Sequence, residues 1–138
     1  MTERQAFNLK ITEEFRANHG KVGGLFASAP LLLLTCAGAK TGQLRTTPLA
    51  YSRDGDRLVV IASMAGAPNN PDWYHNLKAR PAATVELGSE RFSVKATVAS
   101  GAERERLFDA QARLLPVFAD YQKKTNRQIP VIMLERVP

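Results

Sequence analysis

The chain has 138 residues, 44% of them hydrophobic and 23% charged, which suits one globular domain with a single core and excludes both a disordered chain and a bilayer-spanning one. Nineteen lysines and arginines against 13 acids leave a net charge of +6, favouring an anionic partner, yet the basic residues are dispersed and form no nucleic-acid-binding tail. The single cysteine, Cys36, excludes an internal disulfide framework, and two distant histidines, His19 and His75, offer no metal-ligand spacing, so no metal is expected.

Residues 1–7 lack the basic start and apolar centre of a secretory signal, so a cytoplasmic location is expected. Residues 3–18 read as an amphipathic helix with Phe7, Ile11 and Phe15 on one face and glutamates on another. Packing on the domain suits it better than docking on a membrane, although peripheral membrane contact stays open. Gly20-Lys21-Val22-Gly23-Gly24 ends it as a flexible connection, which divides the chain into an N-terminal helix, residues 1–20, and one domain, residues 21–138.

Strands are expected at 31–36, 45–52 and 57–62, the last two joined across Asp54-Gly55. Cys36, directly after Leu31-Leu32-Leu33-Leu34-Thr35, reads as a buried small hydrophobe. A short helix then runs to Ala79, with Asn70 suited to its cap and Pro71 to its first turn. Strands at 82–87 and 90–99 flank Gly88-Ser89. Residues 101–114 form a charged helix whose candidate buried face is Leu107, Phe108, Ala110 and Leu114. Pro116 interrupts it, residues 117–124 add a short helical segment, and 129–135 close the sheet. This order predicts an α+β fold of about six mainly antiparallel strands curling toward a barrel.

Two loops carry the chemistry. Ala37 to Pro48 offers Gly38 and Gly42 for close backbone approach, Lys40 and Arg45 for charge, and Thr41, Thr46 and Thr47 as hydroxyl donors. It lacks the Walker A spacing and the Rossmann glycines, so it reads either as a phosphate grip or as an ordinary basic hairpin. Ser63-Met64-Ala65-Gly66-Ala67 follows a strand with small side chains, where a flat ring can take hydrogen bonds from backbone N–H groups. Trp73 and Tyr74 can wall such a pocket or pack in the core. No serine stands in a nucleophile-elbow context, which leaves a ligand-binding protein whose reactive group can belong to a cofactor.

The stretch from Leu31 through Gly38-Ala39-Lys40-Thr41-Gly42-Gln43-Leu44-Arg45-Thr46-Thr47-Pro48 to Ala62-Ser63-Met64-Ala65-Gly66-Ala67-Pro68-Asn69-Asn70-Pro71-Asp72-Trp73-Tyr74 resembles the deazaflavin-dependent nitroreductase family of actinobacteria, with Pro81 and Tyr121 in matching places. The resemblance covers roughly residues 15–135. It implies a split β-barrel, FMN-binding-like in architecture, that binds coenzyme F420, an 8-hydroxy-5-deazaflavin with a phosphate and an oligoglutamate tail. Lys40, Thr41, Arg45, Thr46 and Pro48 then lie along the phosphate and tail, with Lys78 and Lys21 as further tail contacts. Ser63, Met64, Ala65, Gly66 and Ala67 hold the ring, and Asn70, Trp73 and Tyr74 complete the wall.

The implied reaction is hydride transfer from reduced F420 to a quinone, an activated alkene or a nitroaromatic, with Ser63 stabilising charge and Tyr121 orienting or protonating the acceptor. FMN fits less well, because it has no glutamate tail for Lys40 and Arg45. Relatives that reduce bulky nitroimidazoles carry several tyrosines where this chain reads Leu115-Pro116-Val117-Phe118-Ala119-Asp120-Tyr121, so weak nitroimidazole activity is expected. A non-catalytic F420 carrier is the alternative reading.

Overall fold

The four leucines at 31–34 are apolar on both faces of a strand, and both faces are used. The computed structural model, which describes residues 2–23 and 30–138, places them in β1 (Leu31–Ala37). Leu32, Leu34 and Cys36 point inward, while Leu31 and Leu33 pack outward on Ile11 and Phe15 of α1 (Glu3–Ala17). Five more strands follow: β2 (Leu44–Asp54), β3 (Arg57–Ile61), β4 (Ala82–Leu87), β5 (Glu90–Val98) and β6 (Val131–Arg136). They close into a barrel in the order β1-β2-β3-β6-β5-β4, and every neighbouring pair is antiparallel. Every strand thus has a neighbour on both sides, although β1 and β4 share only residues 33–35 with 84–86 and part beyond them.

Strand alternation makes two cores. Inside, Leu58, Val60, Val85, Val94, Ile132 and Leu134 meet Trp73 and Leu77 of α2 (Asp72–Ala79). Outside, Val59, Ile61, Val131 and Met133 are covered by Leu107 and Phe108 of α3 (Gly101–Leu114) and by Phe118 of α4 (Val117–Lys123). Each such buried side chain is worth about 1.5–3 kcal/mol relative to exposure. The β2–β3 and β4–β5 hairpins turn on two residues, with Gly55 and Gly88 at φ +60 and +59 in the first turn position.

Three expectations change. Phe7 is 43% exposed, and the buried residues of α1 are Ile11, Thr12 and Phe15. Leu114 is 62% exposed; the stripe that α3 buries is Arg104, Leu107, Phe108 and Gln111, the same period with two polar members. Asn70 does not cap α2, whose N-cap is Pro71 without a side-chain bond, because the Asn70 amide oxygen is engaged elsewhere. The connection expected at 20–24 is described as far as Gly23; Gly24 lies outside the described residues.

Candidate functional site

Where β3 ends, the chain enters an unusual turn. Met64, Ala65 and Gly66 take φ of +47, +54 and +80, a left-handed run with two residues that carry a Cβ. The Gly66 N–H donates to Ser63 O (2.9 Å) and the Ala67 N–H to Met64 O (3.0 Å). Among the described residues, the Met64 and Ala65 N–H groups have no acceptor, and the buried Ser63 has no partner for its hydroxyl. A run of free N–H groups in this conformation is a ready donor set for a ligand oxygen.

The loop is braced on two sides. A Cβ placed on Gly66 meets Tyr121 O and Lys124 Cβ, each at 2.9 Å, so the turn lies against the end of α4. On the other side Arg127 donates to the carbonyls of Ala62, Ser63 and Ala67 and to Asn70 Oδ1. Tyr121 is partly buried, with its ring edge-on to Phe118 at 5.5 Å. The structure therefore brings Ser63 through Ala67, Asn70 and the element bearing Tyr121 together.

The first loop is a tight β1–β2 connection. Gly38 N–H donates to Gln43 O (2.8 Å), Gly42 N–H to Gly38 O (2.9 Å), and the Thr41 hydroxyl accepts from Gln43 N–H (3.2 Å). Lys40 and Arg45 are exposed, and neither has an acidic partner among the described residues. Thr46 and Pro48 lie on the opposite face of β2 from Arg45: the Thr46 hydroxyl shares a 2.7 Å bond with Thr35, and Pro48 is buried opposite Leu33. Lys21 belongs to the turn after α1, its N–H donating to Asn18 O.

Helix α2 links the two loops. It starts directly after the second loop, and its buried Asn76 accepts from the Ala39 N–H of the first (2.9 Å). Arg80, at its C-terminus, lays its guanidinium beside Gly42, 3.3 Å from where a Cβ would stand. Trp73 is buried in the inner core, while Tyr74 is half-buried with Lys78 Nζ 5.4 Å from its ring centroid.

Two clefts flank Pro81. One, of about 300 Å³, lies between α2 and the barrel and is lined by Tyr74, Leu77, Lys78, Val98 and Ile132. The other, of about 450 Å³, opens where β1 and β4 part beyond Thr35, with Cys36, Leu44 and Lys95 in its wall. Each has a lysine as the only charged residue of its lining. Burial pushes the Cys36 thiol up from its ordinary value, in keeping with a packing role.

Sequence reading missed three residues here. Asn76 left a trace, a polar residue within the Trp73–Leu77 stripe of α2. Arg80 and Arg127 left none, since a lone arginine in a connection reads as a solvated charge.

Free N–H donors in the second loop, with Lys40 and Arg45 of the first exposed and in no ion pair among the described residues, fit a polyanionic ligand bearing a polar ring. A family model described as F420H(2)-dependent quinone reductase matches residues 9–136. The chain belongs to that family. The F420H(2)-dependent quinone reductase Rv1261c of Mycobacterium tuberculosis is 40% identical over 131 residues, which cover 88% of this chain and 85% of that protein. A solved structure described as the F420-H2 dependent reductase FDR-A superposes with a TM-score of 0.72 at 36% identity, covering 77% of this chain and 94% of the other.

HutZ, a heme storage protein from Vibrio cholerae, superposes at 0.61 with only 11% identity over 92% of this chain and 88% of its own, a likeness of fold alone. As a member of the F420H(2)-dependent quinone reductase family, this split-barrel protein is an oxidoreductase whose cofactor is coenzyme F420, which sets the carrier alternative aside.

Proposed function

We propose that this chain reduces quinones with F420H2, binding the deazaflavin ring against Ser63 to Ala67 and the phosphate and glutamate tail along Lys40, Thr41 and Arg45. The observation that carries this reading is the pairing of free Met64 and Ala65 N–H groups with a basic loop that α2 holds through Asn76. Asn70, Trp73 and Tyr74 form the wall next to the ring, Thr46 and Pro48 shape β2 beneath the tail, and Arg80 and Lys78 add charge along the same path. When bound, reduced F420 supplies a hydride from C5.

The chain's own work is to hold, shield and donate. The Ser63 hydroxyl, which has no partner among the described residues, and the Tyr121 hydroxyl are the groups we assign to hydrogen-bond a quinone oxygen as negative charge builds on it, with Tyr121 as the proton donor that completes the hydroquinone. Leu115 and Phe118 pack into the outer core and bring no hydroxyl, which supports weak nitroimidazole reduction. FMN brings the phosphate but no glutamate tail, so it leaves part of the basic path through Lys40, Arg45 and Arg80 unpaired and is the poorer fit.

No helix among the described residues is long and apolar enough to cross a membrane. We read the enzyme as cytoplasmic, with α1 committing Ile11 and Phe15 to the barrel instead of a lipid surface. The test is fluorescence titration with F420 and with FMN at two salt concentrations, followed by menadione reduction with F420H2. Salt-sensitive F420 binding, weaker FMN binding and menadione turnover are expected; absence of F420 binding sinks the reading.

A further inference from the structure

Arg127 stands between α4 and β6, and four of its five N–H donors serve one loop. Nε donates to Ala67 O (3.0 Å), Nη1 to Ala62 O (3.1 Å) and Asn70 Oδ1 (2.8 Å), and Nη2 to Ser63 O (2.7 Å). These acceptors lie on both limbs of the loop, so the guanidinium closes it across its base. No carboxylate pairs with it among the described residues, and burial lowers its pKa from the ordinary value. The loop carbonyls are its counterpart.

The arginine is itself fixed from behind. Its carbonyl accepts from Gln122 Nε2 (2.8 Å), while Gln122 Oε1 accepts from Ile129 N–H and from Arg104 Nη2, both at 3.0 Å. Arg104, only 5% exposed, donates again to Ile129 O at 2.6 Å. Gln122 directly follows Tyr121, so one polar network sets both the loop and the helix that carries the candidate proton donor.

A left-handed backbone at Met64 and Ala65 costs about 1–2 kcal/mol per residue and persists only where its surroundings over-determine it. Inside the turn, among the described residues, only the Ser63, Gly66 and Ala67 N–H groups make backbone bonds. We propose that Arg127 is a positioning residue for hydride transfer: its guanidinium holds residues 62–70 in the turn that aims the Met64 and Ala65 N–H groups and the Ser63 hydroxyl at the ring. The inference rests on the reading of this loop as the ring site. Lysine cannot replace it, since a point ammonium cannot span four divergent acceptors.

The test compares wild type, Arg127→Lys and Arg127→Ala, the last with and without added guanidinium chloride against a sodium chloride control. F420 affinity is read by fluorescence, single-turnover oxidation of F420H2 by menadione by absorbance, and exchange of the 63–67 amides by mass spectrometry without cofactor. Arg127→Lys is expected to exchange these amides faster while the strand amides keep their protection, and to lose at least about tenfold in affinity or in hydride-transfer rate, as expected when charge-assisted bonds are broken. Guanidinium is expected to restore part of that loss in Arg127→Ala, which mere damage to the fold does not allow.

Wild-type affinity and rate in Arg127→Lys overturn the proposal and leave the cofactor reading intact. Failure of the wild type to bind F420 overturns both. If the Arg127 variants do not fold, Gln122→Met, which frees the Arg127 backbone and spares its guanidinium, is expected to show a smaller loss in the same measurements, and wild-type behaviour there counts against the proposal.

Discussion

Gly66 is the residue that the ring loop can least replace. Its φ of +80 suits a residue without a Cβ, and a Cβ there meets the Tyr121 carbonyl and the Lys124 side chain at 2.9 Å. Gly55 has a similar φ of +60 but nothing within 4 Å, which makes it a control for conformational cost alone. Both Gly→Ala changes are expected to cost about 1 kcal/mol or more through the left-handed backbone, lowering Tm by roughly 2–8 °C. Only Gly66→Ala is expected to weaken F420 binding, by about tenfold, because the turn must move off α4. Equal affinities in the two variants refute this account. The run of small residues at 63–67 was legible as a ligand loop because side-chain size is written in the sequence; Arg127 was not, because its partners are carbonyls about 60 positions away.

At the scale of elements, strands and hairpins could be read because alternation and Gly-containing turns are local signals. The face of α3 was only half legible. Its period points to residues 104, 107, 108 and 111, yet Arg104 and Gln111 are polar types that composition assigns to solvent, and only the tertiary partners show why they are buried. Gln111, fully buried, accepts from the Ser52 hydroxyl (3.0 Å), while its Nε2 has no partner. Removing one member of the pair strands the other, whereas an apolar replacement of both removes the orphan as well. Ser52→Ala is therefore expected to cost about 1–3 kcal/mol, and Ser52→Ala with Gln111→Met to be neutral or stabilising, measured by urea unfolding. A double variant less stable than Ser52→Ala refutes the assignment of Gln111 Nε2 as an unmet donor.

Across the whole molecule, two carboxylates tie distant parts of the barrel to its helices, and both make stability depend on pH in the same direction. Glu86 of β4 accepts from Arg16 of α1 at 2.8 and 2.9 Å, and Arg16 holds its carboxyl below the ordinary value of 4.5. Asp54, at the end of β2, is bonded to Arg106 of α3 and to Arg57, and these arginines hold it well below its ordinary 3.8. A carboxyl whose folded pKa is depressed binds its proton more readily when unfolded, so its stabilising effect is complete above the unfolded value and is lost as pH falls through the folded one. Tm is thus expected to decline from about pH 4.5 downward, while the net charge climbs above +6 and adds repulsion. Glu86→Gln and Asp54→Asn are expected to melt below wild type at pH 7, with gaps that narrow as the solution is acidified, Glu86 first and Asp54 at lower pH. Thermal melts of the three proteins between pH 7 and pH 2 decide it: a gap that stays constant over that range shows that packing, and not ionisation, sets the contribution of these residues.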